Sequence, residues 1–130
     1  MSKPTTTTKK KRVKKSFEIG RVSVRALYNN TIVTLTDNDG NVLGWSSPGA
    51  NGFKGARQAT PYAGQISAER VAELATSFGM KSVDVRVKGV GPGRDQTIRG
   101  LINGGLEITS IADITRLPHG GCRSRRQRKT

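Results

Sequence analysis

Between residues 17 and 47 the chain holds three strand-like segments and only two short turns to join them. Residues 17–28 alternate, with Val22, Val24 and Ala26 on one face and Arg21, Ser23 and Arg25 on the other. Asn29 and Asn30 make the first turn, since Asn tolerates the left-handed backbone. Thr31 to Thr36 is a β-branched run around Leu35. Asp37 to Asn41, with Gly40, makes the second turn, and Val42 to Ser47 is the third strand. Connections this short leave no room for a crossover, so the three strands must form an antiparallel meander.

The remainder must close around that meander. Ser47 to Thr60 is glycine-dense and too long for a minimal turn. Pro61 suits a helix start. Residues 62–78 read as a helix with Ala63, Ser67, Val71, Leu74 and Phe78 along one stripe and Gly79 as its stop. Ser82 to Lys88 alternates again, with Val83, Val85 and Val87 opposite Asp84, Arg86 and Lys88. Gly89 to Gly93 leads into a short helix over 95–103, with Ile98, Leu101 and Ile102 as its apolar stripe and Gly104 and Gly105 ending it. Leu106 to Ile114 is the last strand. The order β-β-β-α-β-α-β predicts an α/β fold with a mixed sheet. Strands buried on both faces would read as continuous apolar runs. The first and fourth alternate instead, so both helices are expected on one face. The other, with Arg21, Arg25, Arg86 and Lys88, is left to water or a polyanion.

Charge divides the chain into three parts. The whole carries 23 Lys and Arg against 9 Asp and Glu, a net +14 over 130 residues. Residues 1–25 hold nine basic residues and one acid; residues 114–130 hold six and none. Residues 26–113 balance, with eight of each. This predicts a basic N-terminal arm over 1–16, one α/β domain over 17–116 and a basic tail over 117–130. The arms carry too little apolar surface to offset the entropy of ordering, so they are expected to order on a partner. No apolar run reaches the roughly 18 residues of a membrane span, and no secretory signal is read at the start. The expected location is intracellular.

Catalysis finds little material. His119 and Cys122 are the only His and Cys, and two ligands do not close a zinc site. The one His is in the tail, away from any base-and-nucleophile pairing. Asp37 and Asp39 sit where a turn favours them on local grounds, and the other acids are scattered. No enzyme activity, metal or cofactor is expected. The glycine loops do not fit nucleotide cradles either, since there is no Gly-Lys-Ser/Thr and no G-x-G-x-x-G spacing.

Those loops do suit RNA phosphates. Gly89 to Arg94 lies between a strand and a helix, edged by Lys88 and Arg94, with Arg99 about a turn on, and helix-start amides attract anions. Gly91 and Gly93 are read as part of that anion site, and in the other loop Gly49, Gly52 and Gly55 allow close backbone approach. A plain strand-to-helix turn explains the same glycines, so two readings stand. In the 47–60 loop, Lys54 and Arg57 supply charge and Asn51 an amide, against the alternative of a mobile surface loop. Trp45 shares its strand with Leu43 and is expected in the core. Phe53, in the glycine loop, is the aromatic expected outside it. Too few aromatics share a face to form a stacking platform for bases. Phosphate contact and RNA shape are therefore the expected mode.

The residues also carry a family resemblance. Tyr28 to Asp37, Gly40 to Ser47, Gly52 to Arg57, Thr60 to Ala63, Val87 to Arg94, Ile98 and Arg99, Gly105 to Ile111, and Pro118 to Arg123 resemble, in order, the small-subunit ribosomal protein family S-eleven, over roughly residues 16–123. The resemblance implies a ribonuclease-H-like mixed sheet with strand order 3-2-1-4-5 and no nuclease activity. It implies a ribonucleoprotein role in translation. The family binds small-subunit (16S-type) rRNA on the platform, bridging several RNA helices. It helps form the cleft for the mRNA leader (Shine-Dalgarno) helix. Implied neighbours are ribosomal proteins seven and eighteen and initiation factor three. The bacterial type is the nearer match, giving a cytoplasmic ribosome, with a plastid one as the alternative. Gly120 stands where the family commonly has Asn. Ser124 and Arg125 replace prolines usual after Arg123, Val90 a usual Pro, and Gln58 a usual Lys.

The expected rRNA contacts are thus Lys9, Lys10, Lys11, Arg12, Lys14 and Lys15 in the first arm; Asn51, Lys54 and Arg57 in the first loop; Lys88, Gly91, Gly93, Arg94 and Arg99 around the second; and His119, Arg123, Arg125, Arg126 and Arg128 in the tail. No membrane partner and no self-association are expected. A non-ribosomal architectural nucleic-acid-binding protein is the alternative with similar arms.

Overall fold

A computed structural model describes residues 18–127. The strands are β1 (Ile19–Ala26), β2 (Thr31–Thr36), β3 (Val42–Ser46), β4 (Ser82–Gly89) and β5 (Glu107–Asp113); the helices are α1 (Pro61–Ser77) and α2 (Arg94–Asn103). Two short 3-10 turns, Gly49–Asn51 and Gly55–Ala59, lie in the loop before α1. The five strands form one sheet in the order β3-β2-β1-β4-β5. β1 pairs antiparallel with β2 and parallel with β4; β2–β3 is antiparallel and β4–β5 parallel. The meander, the mixed sheet and the strand order implied by the resemblance are all present.

Turn chemistry fixes the meander. Leu27 N–H donates to Asn30 O at 2.7 Å across the first turn. In the second, the Asp37 carboxylate accepts from the Asp39 and Asn41 amides at 3.0 and 2.9 Å and from the Asn41 side chain at 3.2 Å. Gly40 takes the left-handed backbone there, with φ +94°. Hydrogen bonding, foremost from the Asn41 amide, lowers the Asp37 pKa. Asp37 and Asp39 therefore build a turn, as expected.

The core lies between the sheet and the helices. Val22, Val24, Val33, Leu35, Val83, Val85 and Val87 are fully or almost fully buried on that side. Burying each valine contributes on the order of 1.5–3 kcal/mol relative to leaving it exposed. α1 covers β2 and β3, while α2 leans on α1 and touches the sheet at β1. Small residues permit that close helix pair: a Cβ on Gly100 would lie 2.9 Å from the Ala68 Cβ, and one on Gly64 2.8 Å from Thr97 Oγ1.

Caps set the helix ends. Thr60 Oγ1 accepts from Ala63 N–H at 3.2 Å, with Pro61 in the first position of α1. At the far end Gly79 has φ +79°, Met80 N–H donates to Ala75 O and Gly79 N–H to Thr76 O, a Schellman closure.

Three apolar assignments change. Trp45 is 59% exposed rather than buried. It lies on an edge strand, and a register irregularity between Leu35 and Thr36 breaks the phase that would pair its environment with Leu43. Ile102 is exposed because α2 buries Thr97, Gly100 and Leu101 instead. Leu74 is partly exposed, covering Gly44 of β3 from the flank of α1.

Candidate nucleic-acid interface

One sheet face carries the helices; the other carries charge. Along β1 and β4 the parallel register sets Arg21 beside Asp84, Ser23 beside Arg86 and Arg25 beside Lys88. Asp84 Oδ2 lies 3.9 Å from Arg21 Nε and 3.8 Å from Arg86 Nε, and its other oxygen accepts from Ser110 Oγ. Arg21 Nε is buried without a hydrogen bond, so the 3.9 Å approach is its electrostatic compensation. Arg25 and Lys88 are exposed. The open, cationic face read from the alternation is present.

The loop over 47–60 is tied down from inside. The Asn51 side-chain amide donates to Ser46 Oγ and Ser47 O at 3.0 Å each and approaches Ser67 Oγ of α1 at 3.4 Å. Its donors therefore hold loop to helix. Lys54 and Arg57 point outward and are exposed. Phe53 is half-buried, edge-on to Tyr62 with ring centroids 6.0 Å apart, so its contact is within the protein.

At the second loop, Gly91 N–H donates to Ala26 O at 3.2 Å, and Gly91 and Gly93 are buried. A Cβ on Gly91 would run into Leu27 O, and one on Gly93 would lie 2.5 Å from Thr31 Oγ1. The plain structural reading accounts for these glycines: Gly91 packs on the backbone at the end of β1, and Gly93 on the Thr31 side chain of β2. Arg94 is engaged as well. It donates to Gly89 O and to Asp113 Oδ2, both at 2.9 Å. Asp113 Oδ1 accepts from Thr115 Oγ1 at 2.6 Å and Thr115 N–H at 3.0 Å, and Thr115 Oγ1 in turn accepts from Gly89 N–H at 2.9 Å. Thr115, then Arg94, lowers the Asp113 pKa from its ordinary 3.8 to about 2. Arg94 is thus a clamp between the loop and the end of β5. Sequence offered no sign of it, since Asp113 lies far along the chain. Lys88 and Arg99 remain exposed.

Beyond Thr115 the described chain runs without helix or strand, and His119, Arg116, Arg123, Arg125 and Arg126 are all exposed. Gly120 has φ +65°, a left-handed backbone that glycine adopts without strain. Cys122 is an exposed free thiol. Lys9, Lys10, Lys11, Arg12, Lys14, Lys15 and Arg128 lie outside the described residues.

Among the described residues no three His, Cys, Asp or Glu gather as a metal site, and no helix is long and apolar enough to cross a membrane. A mixed α/β body followed by a run of exposed cations beyond its last strand has the make-up of a nucleic-acid-binding protein. The chain belongs to the ribosomal protein S11 family, whose sequence profile matches residues 20–129. It is similar to the small ribosomal subunit protein uS11 of Teredinibacter turnerae, with 49% identity over 129 residues that cover 99% of each chain. Family membership makes it a structural ribosomal protein and not an enzyme.

Proposed function

We propose that this chain is a structural constituent of the small ribosomal subunit that binds small-subunit rRNA. The observation that carries the reading is the end-to-end match to a small-subunit protein: it takes in both basic ends as well as the neutral body. The body fixes where the tail begins, and exposed cations neutralise RNA phosphates. Lys54, Arg57, Lys88, Arg99, Arg123, Arg125 and Arg126 are the described side chains best placed to do so.

The finer reading places the protein on the platform. There the body (17–116) and the arms (1–16 and 117–130) bridge several rRNA helices and help shape the cleft for the mRNA leader. Ribosomal proteins seven and eighteen and initiation factor three are its neighbours, in a cytoplasmic ribosome. Support comes from family membership and from cationic surface on three separate parts of the chain.

Chemical footprinting of subunits reconstituted with and without the protein tests this. Added protein is expected to protect platform helices. Failure to co-sediment stoichiometrically with small subunits in high salt would instead favour an architectural nucleic-acid binder. Protection confined to another part of the subunit would remove the platform assignment.

A further inference from the structure

The open sheet face is electrically uneven along the strands. At one end, two arginines share the Asp84 carboxylate, and Ser110 holds that carboxylate in place. At the other end, Arg25 and Lys88 are register partners on adjacent parallel strands, with backbones roughly 4.8 Å apart. Both are exposed, and neither side chain has a hydrogen-bond or ion-pair partner among the described residues. Ile32, the β2 partner of Arg25, offers no charge. Asp113, the acid nearest in register, is occupied by Arg94 and Thr115. Residues 1–17, outside the described part, contain no Asp or Glu that could serve instead.

Like charges set side by side on neighbouring strands repel. A single anion between them reverses the sign of that term and accepts charge-assisted hydrogen bonds from both. A sheet face that no helix of the described residues covers gives a polymer backbone access that a closed pocket would not. We propose that Arg25 and Lys88 form a two-point clamp for one backbone phosphate of RNA. Asp84 bounds the clamp by keeping Arg21 and Arg86 occupied. The inference rests on the rRNA-binding reading and deepens it. It adds Arg25, a residue that neither glycine loop nor either arm would point to.

Filter binding of a small-subunit rRNA transcript, over a range of salt, tests the clamp. Three variants are compared with the full-length protein: Arg25→Gln/Lys88→Gln, Arg86→Gln and Asp84→Asn. All alter solvent-accessible side chains, and thermal melts by circular dichroism check that each folds. The double variant is expected to bind about tenfold more weakly and to lower the salt slope by roughly one unit, the signature of one lost phosphate contact. Arg86→Gln is expected to stay within about twofold of wild type, and Asp84→Asn to bind about threefold tighter by freeing two cations. If the wild type binds with a salt slope and a folded double variant keeps it, the clamp is wrong while the rRNA-binding reading stands. An Arg86→Gln loss as large as that of the double variant would overturn the boundary drawn at Asp84. Absence of salt-dependent binding by the wild type would overturn both the clamp and the reading beneath it.

Discussion

The two glycine loops look alike in sequence and are built on different principles. In 89–93 the glycines are there chiefly for space: Gly91 would collide with Leu27 O if it gained a Cβ, and Gly89, which also has φ +102°, with Ala26 O. In 47–60 two of the three are there for backbone angle. Gly52 and Gly55 have φ +91° and +56°, and a Cβ on either would meet nothing within 4 Å. Their cations differ in the same sense. Arg94 is held by Asp113 and Gly89, whereas Lys54 and Arg57 are exposed. One loop is part of the packed body that happens to carry charge; the other is a surface feature whose charge is available. Glycine density alone does not distinguish a phosphate cradle from a packing joint.

The contrast can be broken by substitution. Gly91→Ala should destabilise the fold by about 3 kcal/mol, because the added methyl meets backbone that cannot move aside. Urea unfolding measures this, and a loss below that of Gly52→Ala would invert the assignment. Removing both charges of the first loop, Lys54→Ala/Arg57→Ala, should weaken rRNA binding about tenfold while leaving the unfolding midpoint near wild type. An unchanged affinity would make that loop a bystander. Gly52→Ala should cost about 1 kcal/mol, the strain of a left-handed non-glycine residue in open space.

The smallest expected effect is acid titration of the clamp. The folded pKa of Asp113 lies below its ordinary value, so its contribution is fully present above about pH 3.8 and is lost as pH falls through about 2. Amide resonances of Gly89 and Thr115 should report that transition. Residues 47–60 contain no acid and should show none of their own. A midpoint at the ordinary value would mean that the Thr115 and Arg94 contacts do not form in solution.

Much of the body was legible because its signals are local. Alternation in β1 and β4 fixed which residues face the helices, and Asp37, Gly40, Thr60, Pro61 and Gly79 marked turns and caps from their own backbone needs. What escaped was set by partners distant in sequence. Trp45 reads as core until the irregularity opposite Thr36 is known. The partners of Asn51 and Arg94 could not be read either: Ser46, Ser67 and Asp113 take up their donors. Ile102 reads as the apolar stripe until α2 is seen to lean on α1 through Gly100. The free cations are legible by the same token: a charge with no partner in the body needs none to be found.

The place of β1 at the middle of the sheet has a consequence for synthesis. It is made before the other strands of the sheet, and β2 can pair with it at once across a two-residue turn. Its other edge must wait for β4, which follows the long loop and the whole of α1. Until then a nascent chain presents an open row of backbone donors and acceptors beside Val22 and Val24, the kind of edge that recruits wrong partners. Slow, non-local closure of this kind predicts a folding rate limited by the β1–β4 encounter rather than by either helix.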